Sequence, residues 1–337
     1  MDIVDKVRAG DVRTVSRLIR SIEDRIPEAR QAIKALYPFT GRAFVIGLTG
    51  APGAGKSTLT DGLITTFRKQ GKSVGVLAVD PTSPFSGGAI LGDRVRMQRH
   101  AEDPEVYIRS LATRGALGGL CAAVDDAVHV LDAMGKDVIL VETVGTGQSE
   151  VDIMNNAHSV ALILTPGMGD EVQTMKAGIM EIADLFVINK SDRPGGSKLY
   201  QELMKVLQMD QSCQSGWQPP VVMVENIADP RAFIEKVEEL RDKFLEHRQV
   251  LINKDILKKR ERRKLSVQLV NSLKESILDP LLDELGVSGR LDRFLEQLVA
   301  KEIDPYSLAE KVAGEYLKPS CDHNSEQSFR KNEFLEK

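Results

Sequence analysis

An apolar run, Phe44-Val45-Ile46-Gly47-Leu48, leads into Gly50-Ala51-Pro52-Gly53-Ala54-Gly55-Lys56-Ser57-Thr58, and an amphipathic segment follows from Leu59 to Lys69. The middle stretch spells G-x-x-x-x-G-K-S, and its order between those flanks constrains the fold more than any other feature. A buried strand ends, glycines let successive backbone N–H groups curl around an anion, and a helix N-terminus adds its partial positive charge. On this reading Gly50 to Thr58 cradle phosphates. Lys56 reaches the outer phosphates and the Ser57 hydroxyl holds Mg²⁺. A plain glycine-rich strand-to-helix turn is the bland alternative, and the flanking pattern speaks against it.

The rest of the chain supplies a matching scaffold. Strand candidates fall at 43–49, 73–79, 105–111, 137–143, 159–165, 184–189 and 220–224. Most are continuous Val/Ile/Leu runs, as strands covered on both faces require. Helices fit between them at 57–70, 117–134, 171–181 and 197–208. This alternation implies an α/β fold: a doubly wound, mostly parallel sheet with helices on both faces. Residues 1–42 read as an N-terminal helical extension, with Asp11 as an N-cap and Pro27 starting a further helix. The α/β domain takes 43–249 and a C-terminal helical region 250–317, and after about residue 230 the pattern is helix only, in segments 231–249, 251–286, 289–301 and 304–317. The polar stretch 318–337 reads as disordered.

A second motif addresses the base. Asp184 to Ile188 form an apolar strand ending in Asn189-Lys190-Ser191-Asp192, which is N-K-x-D. The Asp192 carboxylate can accept from guanine N1–H and its 2-amino group, donors that adenine lacks. Asn189 is expected to tie this turn to the phosphate loop, and the Lys190 stem to lie along the purine. GTP is thereby favoured over ATP.

Two other strand ends carry acids. Asp80 opens a proline- and glycine-rich stretch through Asp93-Arg94, and Glu142 precedes Thr143-Val144-Gly145. A carboxylate at a strand end with a glycine three residues on is the layout of a Mg²⁺-supporting acid and a γ-phosphate sensor. Ser57, Asp80, Asp93 and Glu142 are the metal candidates, and not all three acids need touch the ion. Gln148 can orient water or serve the loop's scaffold. Glu150 and Asp152 read as helix-start acids, and His129 and His158 as structural.

Gross composition narrows the role. A chain of 337 residues with a formal charge of −4 does not suit nucleic-acid or anionic-membrane binding as a main task. No apolar stretch approaches a membrane span, and the first residues resemble no targeting peptide. Three scattered cysteines, Cys121, Cys213 and Cys321, make no disulfide framework and fit a reducing, cytoplasmic setting. The basic run Lys254 to Lys264 reads as a solvated helix face.

These stretches resemble a known family, the MeaB/ArgK group of P-loop GTPases that includes human methylmalonic aciduria type A protein. The matching segments are GLTGAPGAGKST at 47–58, DPTSPFSGGAILGDRVRM at 80–97, IRSLATRGALGGL at 108–120, VETVGTGQSEVDI at 141–153, TPGMGDEVQTMKAGIMEIAD at 165–184, NKSD at 189–192 and IDPYSLAEKV at 303–312. The resemblance implies a P-loop NTPase of the metallocentre-assembly type, with slow GTP hydrolysis. It implies a chaperone that gates adenosylcobalamin loading of an acyl-CoA mutase, typically methylmalonyl-CoA mutase, and protects it. An adenosyltransferase is a further candidate partner, and no cobalamin is expected to stay bound to this chain alone. The resemblance also implies three switches: Asp80–Arg99, Glu142–Asp152 and Pro166–Lys176, the last with Asp170 and Lys176. Lys56, Asp93, Glu142 and Gly145 take the catalytic roles, and the C-terminal helices a homodimer contact, which makes 250–317 a helical dimerisation region. One departure stands out: Val224-Glu225-Asn226-Ile227-Ala228-Asp229-Pro230 occupies the place of the family's S-A-x-x-G-x-G guanine loop.

Three rivals carry weaker signals. A nickel-type metal-insertion GTPase usually adds His- or Cys-rich segments, and here there are five His without a cluster. A kinase for a transport protein would need an acceptor site that is not visible. A nucleotide-retaining binding module would show no turnover.

Overall fold

A computed structural model describes residues 2–80, 97–112, 117–143, 157–167, 183–209, 216–225 and 229–316. The helix expected at 171–181 lies outside the described residues. So do Asp93, Gly145, Gln148, Glu150, Asp152, Asp170, Lys176 and the tail 318–337.

Seven strands are present: β1 (Phe44–Gly50), β2 (Val74–Asp80), β3 (Val106–Ala112), β4 (Val138–Thr143), β5 (Ser159–Leu164), β6 (Leu185–Asn189) and β7 (Val221–Val224). Every strand read from the sequence is found, starting at most one residue later. They form one parallel sheet in the order β3-β2-β4-β1-β5-β6-β7. All seven residues of β1 are buried, so its continuous apolar run reflects cover on both faces. From β1 the chain travels outward to β2 and β3 on one side, and later to β5, β6 and β7 on the other. The carboxyl end of β1 is therefore a topological switch point, where such sheets leave an open crevice.

Helix α4 (Lys56–Lys69) and the long α7 (Pro230–Asn253) cover one face of the sheet. Leu59, Leu63 and Phe67 of α4 and Val237, Leu240 and Phe244 of α7 pack there with Ile46, Leu48, Leu140 and Ile163. Helix α6 (Gly196–Met209) shields Leu162, Leu164, Phe186 and Ile188 with Leu199 and Leu203. The sheet's other face is closed by α5 (Leu117–Ala133), together with α1 (Ile3–Arg8), α2 (Val12–Glu23) and α3 (Pro27–Leu36).

The N-terminal extension thus shares the sheet's own core. Asp11 caps α2 by accepting the Arg13 N–H at 3.2 Å, and α3 opens on Pro27. Val15, Leu18, Ile19 and Ile22 fall on one face of α2 and are buried with Leu77, Leu111 and Val141. Each such side chain contributes about 1.5–3 kcal/mol by leaving water. Two polar contacts fix the register: Ser16 Oγ to the Tyr107 hydroxyl at 3.1 Å, and Arg109 to Glu23 at 2.6 Å.

The chain divides into two compact units, Met1–Lys264 and Leu265–Lys337. Helix α8 (Ile256–Val287) belongs to the first by its opening turns, and the second adds α9 (Arg290–Val299) and α10 (Pro305–Tyr316). The break between α7 and α8 comes at Asp255, whose φ of +56° turns the chain left-handed. Within the second unit, many large apolar side chains stay exposed, including Leu269, Val270, Leu273, Ile277 and Leu282. Among the described residues, no helix is long and apolar enough to cross a membrane.

Candidate functional site

The loop between β1 and α4 is built around two glycines at positive φ, where any side chain would be strained. Gly50 has φ 145°, and a Cβ there would run into the backbone of Ile163 on β5. Gly55, at φ 93°, precedes α4, and a Cβ would collide with the amide of Asn189. Between them, Ala51 and Ala54 are buried while Pro52 and Gly53 are exposed. The Lys56 ammonium lies across this concavity, donating to the carbonyls of Gly50 at 2.6 Å and Ala51 at 3.0 Å. Lys56 and Ser57 are both 5% exposed, so their polar ends sit inside the loop. With the first turn of α4 directly beneath, the arrangement concentrates positive potential where an anion would enter.

Glu142 stands on β4, next to β1, and in register with Leu48. Its carboxylate is almost wholly buried, with 1% of the residue exposed. Ser57 Oγ donates to Oε1 at 2.7 Å, and Thr60 Oγ1 to Oε2 at 2.8 Å. Asp80 closes β2, two residues beyond Ala78, which is itself in register with Glu142. The hydroxyl and carboxylate oxygens assembled here suit a hard divalent cation rather than a soft one. Among the described residues, no set of three His, Cys, Asp or Glu side chains gathers into a metal cluster.

The end of β6 supplies the other wall. Asn189 is buried, and its Nδ2 donates to the Ala54 carbonyl at 2.7 Å. Lys190 takes a left-handed backbone, φ 56°, and its Nζ donates to the Gly53 carbonyl at 2.8 Å. The Ser191 N–H donates to the Val224 carbonyl at 3.0 Å, fastening this turn to β7. Asp192 is exposed. The structure therefore brings Gly50–Thr58, Asn189, Lys190 and Glu142 together around one crevice. In the segment 224–230, Asn226 to Ala228 lie outside the described residues, while Asp229 caps α7 by accepting the Arg231 N–H at 2.9 Å.

Comparison with known proteins decides the family. Residues 15–284 match the family model for methylmalonyl-CoA mutase-associated GTPase MeaB. This chain belongs to the MeaB family. An inferred GTPase of Pyrococcus abyssi is 47% identical over 318 residues, covering 94% of this chain and 96% of its own. A Caenorhabditis elegans protein named methylmalonic aciduria type A homolog, mitochondrial, is 32% identical over 80% of this chain and 67% of its own. The crystal structure of a LAO/AO transport system kinase superposes with a TM-score of 0.68 at 23% identity, covering 93% of this chain and 95% of that one. That likeness shows the shared fold.

Two features of this MeaB-family chain escaped sequence reasoning. Thr60 is one, since a threonine inside a helix carries no periodic signal. Its spacing of three from Ser57 was the available clue. The other lies at the opposite, amino end of the strands. Arg260, in the basic run, donates to both oxygens of Asp184 at 2.8 and 3.2 Å, and Lys264 pairs with Asp125 at 3.2 Å. The run is therefore only partly a solvated face. Residues 260 and 264, one turn apart, tie the opening turn of α8 to the rest of the first unit, to which they belong. His247 lies beside the same Asp184, shares a 2.8 Å hydrogen bond with Ser159, and packs on Trp217 with ring centroids 4.8 Å apart. Burial lowers the pKa of His247, outweighing the attraction of Asp184, so the ring stays neutral.

Proposed function

We propose that this chain is a Mg²⁺-dependent GTPase that serves as chaperone to an adenosylcobalamin-dependent acyl-CoA mutase, methylmalonyl-CoA mutase or a close relative. The observation that carries the nucleotide half is the hydrogen bond from Asn189 to the Ala54 carbonyl. It fastens the guanine-reading turn to the phosphate loop, so a single ligand with both a purine and phosphates spans the crevice. The family's name and that of the C. elegans relative support the mutase half.

On this reading Lys56 exchanges the carbonyls of Gly50 and Ala51 for the β- and γ-phosphates, and the loop amides share the charge of the transferring phosphoryl group. Asp192 accepts from the guanine edge while the Lys190 stem supports the ring. Ser57 and Glu142, with Asp80 at the end of β2 and Asp93 further along the chain, would hold Mg²⁺, which supplies charge neutralisation on the phosphates. The segments Asp80–Arg99, Glu142–Asp152 and Pro166–Lys176, with Gly145, Asp170 and Lys176, act as switches that order on GTP and relax on GDP. That change alters the surface shown to the mutase and gates cofactor loading. The exposed apolar row of α8 supports a homodimer, since a monomer rarely leaves so much apolar surface uncovered.

The test is phosphate release from GTP by purified full-length protein, with and without methylmalonyl-CoA mutase. Slow turnover that rises when the mutase is added is expected, with Lys56→Ala slower by about a hundredfold or more. Asp192→Asn should move preference from GTP to XTP, whose 2-oxo group accepts where guanine donates. Folded protein that takes up no GTP at millimolar Mg²⁺ would overturn the nucleotide half. Label appearing on a protein instead of as free phosphate would favour a kinase.

A further inference from the structure

Thr60 sits one turn into α4, fully buried, with Oγ1 3.0 Å from the Lys56 carbonyl and 2.8 Å from Glu142 Oε2. A hydroxyl has one proton to give. The Lys56 carbonyl already accepts within the helix ladder, whereas Oε2 is a charged acceptor shut away from water. The carboxylate therefore gains more from that proton.

Ser57 gives its proton to the other oxygen, Oε1, at 2.7 Å. Two hydroxyls three residues apart on one helix face thus clamp the two oxygens of a single carboxylate. The clamp has a direction. With its proton given to Oε1, Ser57 Oγ has only lone pairs to offer any second group. If Oε2 were not held, the carboxylate could rotate about its terminal torsion and release Ser57 to turn.

We propose that Thr60 is a positioning residue for the divalent-cation site, fixing Glu142 so that the Ser57 hydroxyl presents its lone pairs to the ion. The proposal rests on the reading of this crevice as a Mg²⁺–guanine-nucleotide pocket, and it adds the group that sets the pocket's affinity for the ion. Thr60 touches neither phosphate nor metal. It acts through Glu142.

The experiment follows release of a fluorescent GDP analogue from full-length protein, from chelator to millimolar Mg²⁺. For Thr60→Val, the Mg²⁺ concentration that half-slows release should rise about five- to tenfold, the loss of one hydrogen bond to a buried charge. Release in chelator should stay within about twofold of wild type, since no phosphate contact is removed. Thr60→Ser should restore the wild-type titration. Should the valine variant fail to fold, Thr60→Cys, a weak donor of similar size, takes its place in the same comparison. A titration of the valine variant that overlays wild type would overturn the proposal. So would a change of equal size with and without Mg²⁺, which marks a packing role only, or a serine variant that fails to rescue. Wild-type protein that retains no GDP analogue at all would instead remove the nucleotide reading, and this proposal with it.

Discussion

Arg260 and Asp184 form a two-pronged ion pair at the foot of β6, and the same strand ends, five residues later, in Asn189. One short rod of buried backbone thus joins the first turns of α8 to the wall of the candidate nucleotide site. Asp184 also accepts the Val160 N–H at 3.0 Å, and its carbonyl accepts from Trp217 Nε1 at 2.8 Å.

Arg260→Ala should therefore leave a buried carboxylate with the Val160 N–H and a neutral imidazole. The Arg260 side chain is 40% exposed, so solvent screens part of the interaction, and a stability loss of about 1–2 kcal/mol is expected. Removing a cation that holds the His247 pKa down also lets that ring titrate at higher pH. The chain's single tryptophan, Trp217, packs on His247 and reports both effects through its emission. An unchanged melting curve and unchanged emission against pH would show that the pair is inert.

Gly55→Ala combines a disfavoured φ of 93° with a collision at Asn189. Strain of about 1–3 kcal/mol at such a position translates into a loss of roughly ten- to a hundredfold in GDP affinity, by spreading the loop from the Asn189 turn. Calorimetric titration with GDP checks it, and melting of the free protein should move far less. Near-normal affinity would mean that the loop and the turn are not held together through this contact.

Acid should destabilise the chain well before its carboxylates are neutralised. Burial, helped by Lys264, lowers His129 from 6.5 to about 4. Burial with Lys264, Arg248 and Arg260 does the same to His158, again to about 4, while its Nδ1 accepts the Val45 N–H at 3.1 Å. Both pKa values are depressed in the folded state, so the unfolded chain binds more protons between those limits. Stability is then full above pH 6.5 and falls as the pH drops to about 4, by up to about 3 kcal/mol for each ring. Urea titrations across that window measure the slope, and His158→Gln should flatten it. A flat wild-type profile would refute the assignment.

On α8, Leu269, Leu273 and Ile277 recur every four residues and remain 42–60% exposed. If they form the contact between two copies, Leu273→Asp should turn a dimer into a monomer, read by sedimentation equilibrium, with little effect on GDP binding. A wild-type protein that sediments as a monomer would dispose of the dimer.

Much of this was legible from residues alone, for physical reasons. The strands announced themselves because doubly covered parallel strands read as near-continuous apolar runs, and β1, β4 and β6 are buried along their whole length, with polar residues only toward their carboxyl ends. The phosphate loop and the N-K-x-D turn are local in sequence, so their spacing carries the information. What stayed hidden was long-range. Glu142 and Thr60 are 82 residues apart, and only the sheet register makes them neighbours. Arg260 looked like its basic neighbours, and nothing local marks it as the one that meets Asp184. The turn between α7 and α8 falls at Asp255, five residues beyond the expected break at residue 250, because Asp255 adopts its left-handed backbone without a glycine or proline to signal it.

The helices before Phe44 seal one side of the sheet, with Val15, Leu18, Ile19 and Leu36 sunk among strand residues. A gene trimmed to start at the first strand would thus yield a polypeptide with a wet, greasy wound where its roof had been. The minimal soluble nucleotide-binding fragment must keep those opening helices, however dispensable they look beside the motifs.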